Sequence, residues 1–130
     1  MIVVDTSALM SVVLNEDTAN ACSDGLAWAD EVLISAATLT EALIVAAGRG
    51  RLNPMRDYIG DVSPTVCPVT EAMALRAADA YRRWGRGFHP AALNFGDCFA
   101  YALARERNCP LLFVGDDFSR TDIAPALPKT

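Results

Sequence analysis

Short apolar runs, separated by polar breaks, divide the chain into alternating strand-like and helix-like segments. Ile2, Val3 and Val4 form a β-branched run that stops at Asp5, which reads as a buried strand. The apolar positions Ala8 to Met10 and Val12 to Leu14 follow at once, so a helix should begin within a residue or two of Asp5. After a polar break at 15–18, residues 18–29 predict a second, short helix weakened by Gly25. Val32, Leu33 and Ile34 mark a second buried strand within 31–36. Thr38 then opens a helix with Leu39, Leu43, Ala46 and Ala47 as core candidates, ended by Gly48 and Gly50. Pro54 suits the first turn of a helix running to about Ile59. Residues 66–69 read as a third strand, which Pro68 places at an edge or at its own end. Thr70 caps a long helix over 71–84, with Met73, Ala77, Ala80, Tyr81 and Trp84 recurring on one side. Residues 85–90 read as loop. Asn94 opens the next helix, and its body, 98–104, is apolar on every side, which predicts a buried central helix ended by Asn108 and Pro110. Residues 111–114 are a further buried strand, stopped by Gly115, Asp116 and Asp117. One more short strand is expected near Ile123, before Pro125 and Pro128.

Strands alternating with helices along the whole length predict an α/β fold: a three-layer α/β/α sandwich around a small parallel sheet. In such a sheet all strand-to-helix junctions lie on one edge, where α/β proteins place their sites.

The chain has 130 residues, 52% of them apolar, enough for one domain with one core. No apolar run is long enough to span a bilayer, and the N-terminus has no basic segment or cleavage pattern of a signal peptide, so a cytoplasmic protein is expected. The four cysteines, Cys22, Cys67, Cys98 and Cys109, are scattered, and His89 is the only histidine. That argues against zinc and predicts reduced, packed thiols. A nucleophilic triad would have to recruit His89 from a loop. The net charge of −5 argues against a surface that is basic throughout, although clustered arginines (Arg49, Arg51 and Arg56; Arg82, Arg83 and Arg86; Arg105 and Arg107) can grip phosphate locally.

The acids change the picture. Asp5 ends a strand, and Asp116 and Asp117 follow another. Asp97 lies in the first turn of the most apolar helix, three residues after Asn94. Glu41 lies three residues after Thr38. Each has a plain structural reading: Asp5 as a helix cap, Thr38 and Glu41 as a capping box, Asp97 as a carboxylate favoured by the helix dipole, one of Asp116 and Asp117 as a turn acid. Jointly they put four carboxylates on one sheet edge. Such a group repels itself unless a cation is bound, and oxygen ligands without histidine favour Mg²⁺, with Mn²⁺ as a substitute. A site of this kind activates water and stabilises charge on a phosphodiester. There is no G-x-G-x-x-G after a strand and no G-x-x-x-x-G-K-[ST], so no nucleotide cofactor is indicated.

Asp-Thr-Ser-Ala at 5–8, Thr-Glu-Ala at 40–42, Leu-Asn-Phe-Gly-Asp-Cys-Phe-Ala-Tyr-Ala-Leu-Ala at 93–104, Gly-Asp-Asp-Phe at 115–118 and Thr121-Asp122 resemble a PIN-domain protein, more narrowly the VapC toxins of bacterial type II toxin–antitoxin pairs. The resemblance covers essentially the whole chain, 1–130, as a single PIN-like domain. It implies a Mg²⁺-dependent endoribonuclease acting on RNA, homodimeric, and silenced by a VapB-type antitoxin. By motif it makes Asp5 and Asp97 the principal metal ligands, Glu41 the third acid, and Asp116 or Asp117 the fourth. Ser7 and Asn94 match polar positions that line or brace such a site.

Two other functions compete. An aspartate-nucleophile phosphatase would use Asp5 covalently, but enzymes of the haloacid dehalogenase type want a second Asp where this chain has Ser7. A non-catalytic module would use the acidic pocket to receive a basic partner segment. Metal-dependent RNA cleavage that requires Asp5 separates the enzyme from the module.

Overall fold

A β-branched run with no polar side chain inside it is stable only when covered on both faces. In the computed structural model, which describes residues 1–128, β1 (Ile2–Val4) is accordingly an interior strand. It pairs in parallel with β2 (Val32–Ser35) and with β4 (Leu111–Leu112), and β3 (Thr65–Cys67) adds outside β2, giving the order β3-β2-β1-β4. Val3 lies opposite both Leu33 and Leu111. β3 lies at the edge and stops at Cys67, just before Pro68, so both places that Pro68 allowed hold, with the strand one residue earlier at its start than expected.

Successive strand residues point to opposite faces, and this divides the core in two. Val3, Leu33 and Leu111 pack with α5 (Glu71–Trp84) and α6 (Phe95–Arg107). Val4, Val32, Ile34 and Leu112 pack with α1 (Thr6–Val13), α2 (Ala19–Trp28), α3 (Ala36–Gly48) and α4 (Leu52–Val62). The result is the expected three-layer sandwich. Thr70 caps α5 and Asn94 caps α6, both through side-chain acceptors. Asn108 ends α6 in the left-handed region at φ 51°, which asparagine tolerates. Cys98 and residues 100–104 are buried, so the all-round apolar stretch of α6 is the buried helix it was expected to be. Among the described residues no helix is long and apolar enough to cross a membrane.

Four expectations are corrected. The third helix starts at Ala36, capped by Ser35, and not at Thr38; Thr38 is buried in its first turn. With the start moved, its core positions become Thr38, Ala42 and Ala46; Leu39 and Leu43 are half-buried, and Ala47 is exposed. The fourth strand stops at Leu112, because β1, its ladder partner, ends at Val4 opposite it. Near Ile123 there is no strand: a 3-10 turn (Phe118–Arg120) precedes a single bridge from Leu111 to Pro125. Leu111 is gripped from both sides of that proline, by Ala124 O and the Ala126 N–H. Proline has no N–H with which to propagate a ladder.

Candidate metal centre

Parallel strands deliver their carboxyl ends to one edge of the sheet, so the residue after β1 and the segment after β4 are neighbours there. Asp5 follows β1 directly and is 3% exposed. It caps α1: its Oδ2 accepts from the Ser7 N–H at 3.0 Å and the Ser7 hydroxyl at 2.7 Å. The same hydroxyl accepts from the Val114 N–H at 3.0 Å, just beyond β4. Ser7 therefore ties the end of β4 to the Asp5 carboxylate and fixes its rotation. Oδ1 is left buried with no hydrogen-bond partner among the described residues. Native proteins rarely leave a buried acceptor unpaired, because its lost hydration costs on the order of 1–3 kcal/mol and more for a charge. Burial raises the Asp5 carboxyl to about 6, the nearby Glu41 charge adds to the rise, and the bonds from Ser7 oppose it.

Asp97 is the third helical residue of α6 and closes a reciprocal capping box. Its N–H donates to Asn94 Oδ1 at 2.8 Å, and its Oδ2 accepts from the Asn94 N–H at 3.0 Å. Burial lifts its carboxyl to about 7 against the lowering effect of the Asn94 N–H, and the charges of Asp5, Glu41 and Asp117 push it further up. Two acids whose carboxyls are both raised by burial and by neighbouring negative charge form a site where a bound cation would relieve the strain of ionising them.

Glu41 is not the capping partner of Thr38. It sits in the second turn of α3 and reaches across to α1, where its Oε1 accepts from the Thr6 hydroxyl at 2.6 Å. The far side of its carboxylate lies against Gly96 of α6. Thr6 and Gly96 were not singled out in the sequence, although both lie in motifs that were, next to Asp5 and Asp97. The buried hydroxyl of Thr38 is the other unpartnered polar atom among the described residues.

The two residues of the doubled acid have different surroundings. Asp117 is the one whose charge Asp97 feels. Asp116 instead borders a separate cavity of about 670 Å³ with Phe113, Val114, Ser119 and Pro125, and its carbonyl accepts from the Ser119 hydroxyl at 2.6 Å. Asp5, Glu41, Asp97 and Asp117 thus share one neighbourhood. Among the described residues no three acidic, histidine or cysteine side chains are placed to hold a metal ion by themselves. The orphaned Asp5 oxygen nonetheless fits Mg²⁺, which is commonly held by one or two carboxylates with water and substrate phosphate filling its remaining positions.

His89 is structural: its Nδ1 accepts from the Ala91 N–H at 3.0 Å and its ring packs edge-on against Trp84. All four cysteines are free, and Cys22, Cys67 and Cys98 are buried. Asp122 takes no part in the site. It accepts from the Tyr101 hydroxyl at 2.5 Å and pairs with Arg83 and Arg105 at 3.6 and 4.0 Å.

The PIN domain family model matches residues 2–124. Ribonuclease VapC28 of Mycobacterium tuberculosis is 43% identical over 131 residues, covering 98% of each chain. Ribonuclease VapC of Mycolicibacterium smegmatis is 38% identical and covers 94% of this chain and 97% of its own. Among solved structures, M. tuberculosis VapC20, described as a Sarcin-Ricin loop cleaving toxin, superposes with a TM-score of 0.79 at 18% identity, covering 98% and 100% of the two chains. VapBC2 from Rickettsia felis, bound to a DNA fragment from its promoter, gives a TM-score of 0.69 at 13% identity over 96% of both chains. The second pair shares the fold, the first pair the sequence as well, and with a family model spanning nearly the whole length the chain belongs to the PIN-domain family, among its VapC members.

Proposed function

We propose that this chain is a divalent-metal-dependent endoribonuclease, the toxin of a type II toxin–antitoxin pair, which hydrolyses RNA phosphodiesters at the carboxylate group around Asp5. The observation that carries the reading is the buried, unpartnered Asp5 Oδ1, in the neighbourhood of an Asp97 carboxyl that burial, and then the charges of Asp5, Glu41 and Asp117, push up to about 7. Full-length relatives named as VapC ribonucleases support it.

Asp5 and Asp97 are the proposed ligands, and Mg²⁺ or Mn²⁺, when bound, supplies charge neutralisation at the phosphate and a more acidic water. The chain's own residues do the rest. Ser7 holds Asp5 through Oδ2 and leaves Oδ1 without a bond of its own. Asn94 holds Asp97 through the capping box. Thr6 holds Glu41 through Oε1 and Gly96 lies against Oε2, and from this fixed position the carboxylate is proposed to help orient the attacking water and accept its proton. Asp117 adds the fourth negative charge. Because neither a protein side chain nor the ribose is the nucleophile, the products carry 5′-phosphate and 3′-hydroxyl ends. Arg86 is proposed to grip the RNA backbone: its backbone N–H donates to Leu93 O at 3.0 Å, next to the N-cap of α6, and its guanidinium has no carboxylate partner within salt-bridge distance among the described residues.

The test is cleavage of RNA with Mg²⁺ against EDTA, with the 5′ ends mapped. Metal-dependent cutting that Asp5→Asn removes supports the nuclease. Tight capture of a basic partner without cutting supports a binding module. We further propose a homodimer and a VapB-type antitoxin partner. The antitoxin is proposed to place an arginine on the same carboxylates.

A further inference from the structure

Gly96 is the second residue of α6, immediately before Asp97. Its backbone lies outside the left-handed region, so conformational freedom does not call for glycine there, and glycine is a poor helix former. Space does call for it. A Cβ at this position would overlap the Glu41 carboxylate, lying 2.6 Å from its Cδ and 3.0 Å from its Oε1. The atoms it meets belong to the end of a flexible side chain, not to backbone. A methyl group is therefore accommodated at little cost to the fold, but only by moving that carboxylate. On the other side the Thr6 hydroxyl holds Oε1 at 2.6 Å. The two residues form a slot one carboxylate wide between α1 and α6.

We infer that Gly96 is a positioning residue for Glu41: the missing side chain at the start of α6 lets a carboxylate from α3 lie between the Thr6 hydroxyl and the backbone beside Asp97. Its consequence for cleavage rests on the nuclease reading above; its consequence for the position of Glu41 rests on the slot alone.

The test is Gly96→Ala, alone and combined with Glu41→Ala. A crystal structure of Gly96→Ala should show α6 in place and the Glu41 carboxylate off the Thr6 hydroxyl. Melting should be unchanged or higher. Mn²⁺ affinity, read by electron paramagnetic resonance, and kcat should each fall roughly ten- to hundredfold, with KM within about twofold. In the Glu41→Ala background the added Gly96→Ala should change Mn²⁺ affinity no further. If Gly96→Ala alone fails to fold, the double variant should recover folding, since the clash is with Glu41. A carboxylate still bonded to Thr6 would overturn the inference. So would an equal Mn²⁺ loss with Glu41 absent, unchanged kcat despite a displaced carboxylate, or a double variant that stays unfolded. A parent protein that cuts no RNA with Mg²⁺ would overturn the nuclease reading instead, and the crystal structure would still decide where Gly96 puts Glu41.

Discussion

Ser7 shows how much one hydroxyl can decide. It is bonded at once to Asp5 Oδ2 and to the Val114 N–H, so it couples the rotation of the principal acid to the end of a different strand. Ser7→Ala should leave the fold intact and lower Mg²⁺ affinity and cleavage by roughly 10–100-fold, the usual cost of losing a group that orients a ligand. Calorimetric titration and single-turnover cleavage check this, and unchanged affinity would remove Ser7 from the site. The doubled acid gives a sharper contrast. Asp117→Asn should weaken metal binding and cutting, whereas Asp116→Asn, on the side of a different cavity, should leave both close to wild type. The reverse order would exchange their roles. Asp5→Asn should reduce cleavage to background without unfolding the chain, because an asparagine oxygen still caps α1.

At the scale of elements, the starts of α1 and α6 carry the two proposed ligands. The capping box of α6 places Asp97, and that helix is buried, so its acid is held in a poorly hydrated place. Asp5 and Asp97 are raised from 3.8 to about 6 and about 7. Between the ordinary carboxylate value and these, the folded chain holds protons that the unfolded chain has released. The stability linked to both groups is therefore fully present at low pH and is lost as pH rises from about 4 to about 7. In EDTA, melting of wild type should fall relative to Asp97→Asn across that window, and the gap should stop growing above it. A gap independent of pH would contradict the raised carboxyl. Mg²⁺ should compete with the same protons, so its affinity should climb over the same range. α3 shows where local reasoning misses. Thr38-x-x-Glu41 matches a capping box, but Ser35, at the end of β2, caps the helix three residues earlier and releases Glu41 to reach Thr6 of α1. Ser35→Ala should cost about 1 kcal/mol in chemical denaturation.

For the whole molecule, the proposal puts metal, RNA and partner in one crevice. A guanidinium can donate hydrogen bonds to the same carboxylates that would hold a dication. Under that proposal raising Mg²⁺ should weaken antitoxin binding to wild type beyond a matched monovalent salt control, and Asp5→Asn should blunt the effect. Partner affinity indifferent to Mg²⁺ would leave steric cover or distortion as the mode of inhibition. α3 exposes Ile44 at 66%, an apolar position available to the remainder of such a segment.

The sequence by itself determined the alternation of strands and helices, the parallel sheet, the edge position of β3, the span of α5, the buried α6, and the short roster of acids. These are local matters: period, caps and proline chemistry act within a few residues, and a β-branched run between helices has few ways to be buried. Which acids face one another was decided only by the tertiary structure. The pairing of Ser7 with Val114 spans 107 positions, and that of Thr6 with Glu41 spans 35. Neither follows from spacing, because each depends on which strand lies beside β1 and how far α3 begins before Thr38. The different surroundings of Asp116 and Asp117 depend on how the turn after β4 and the 3-10 turn from Phe118 to Arg120 fold back, which no local pattern encodes. Gly96 was invisible for the same reason: its lack of a side chain acquires meaning only when a carboxylate from another helix occupies the space.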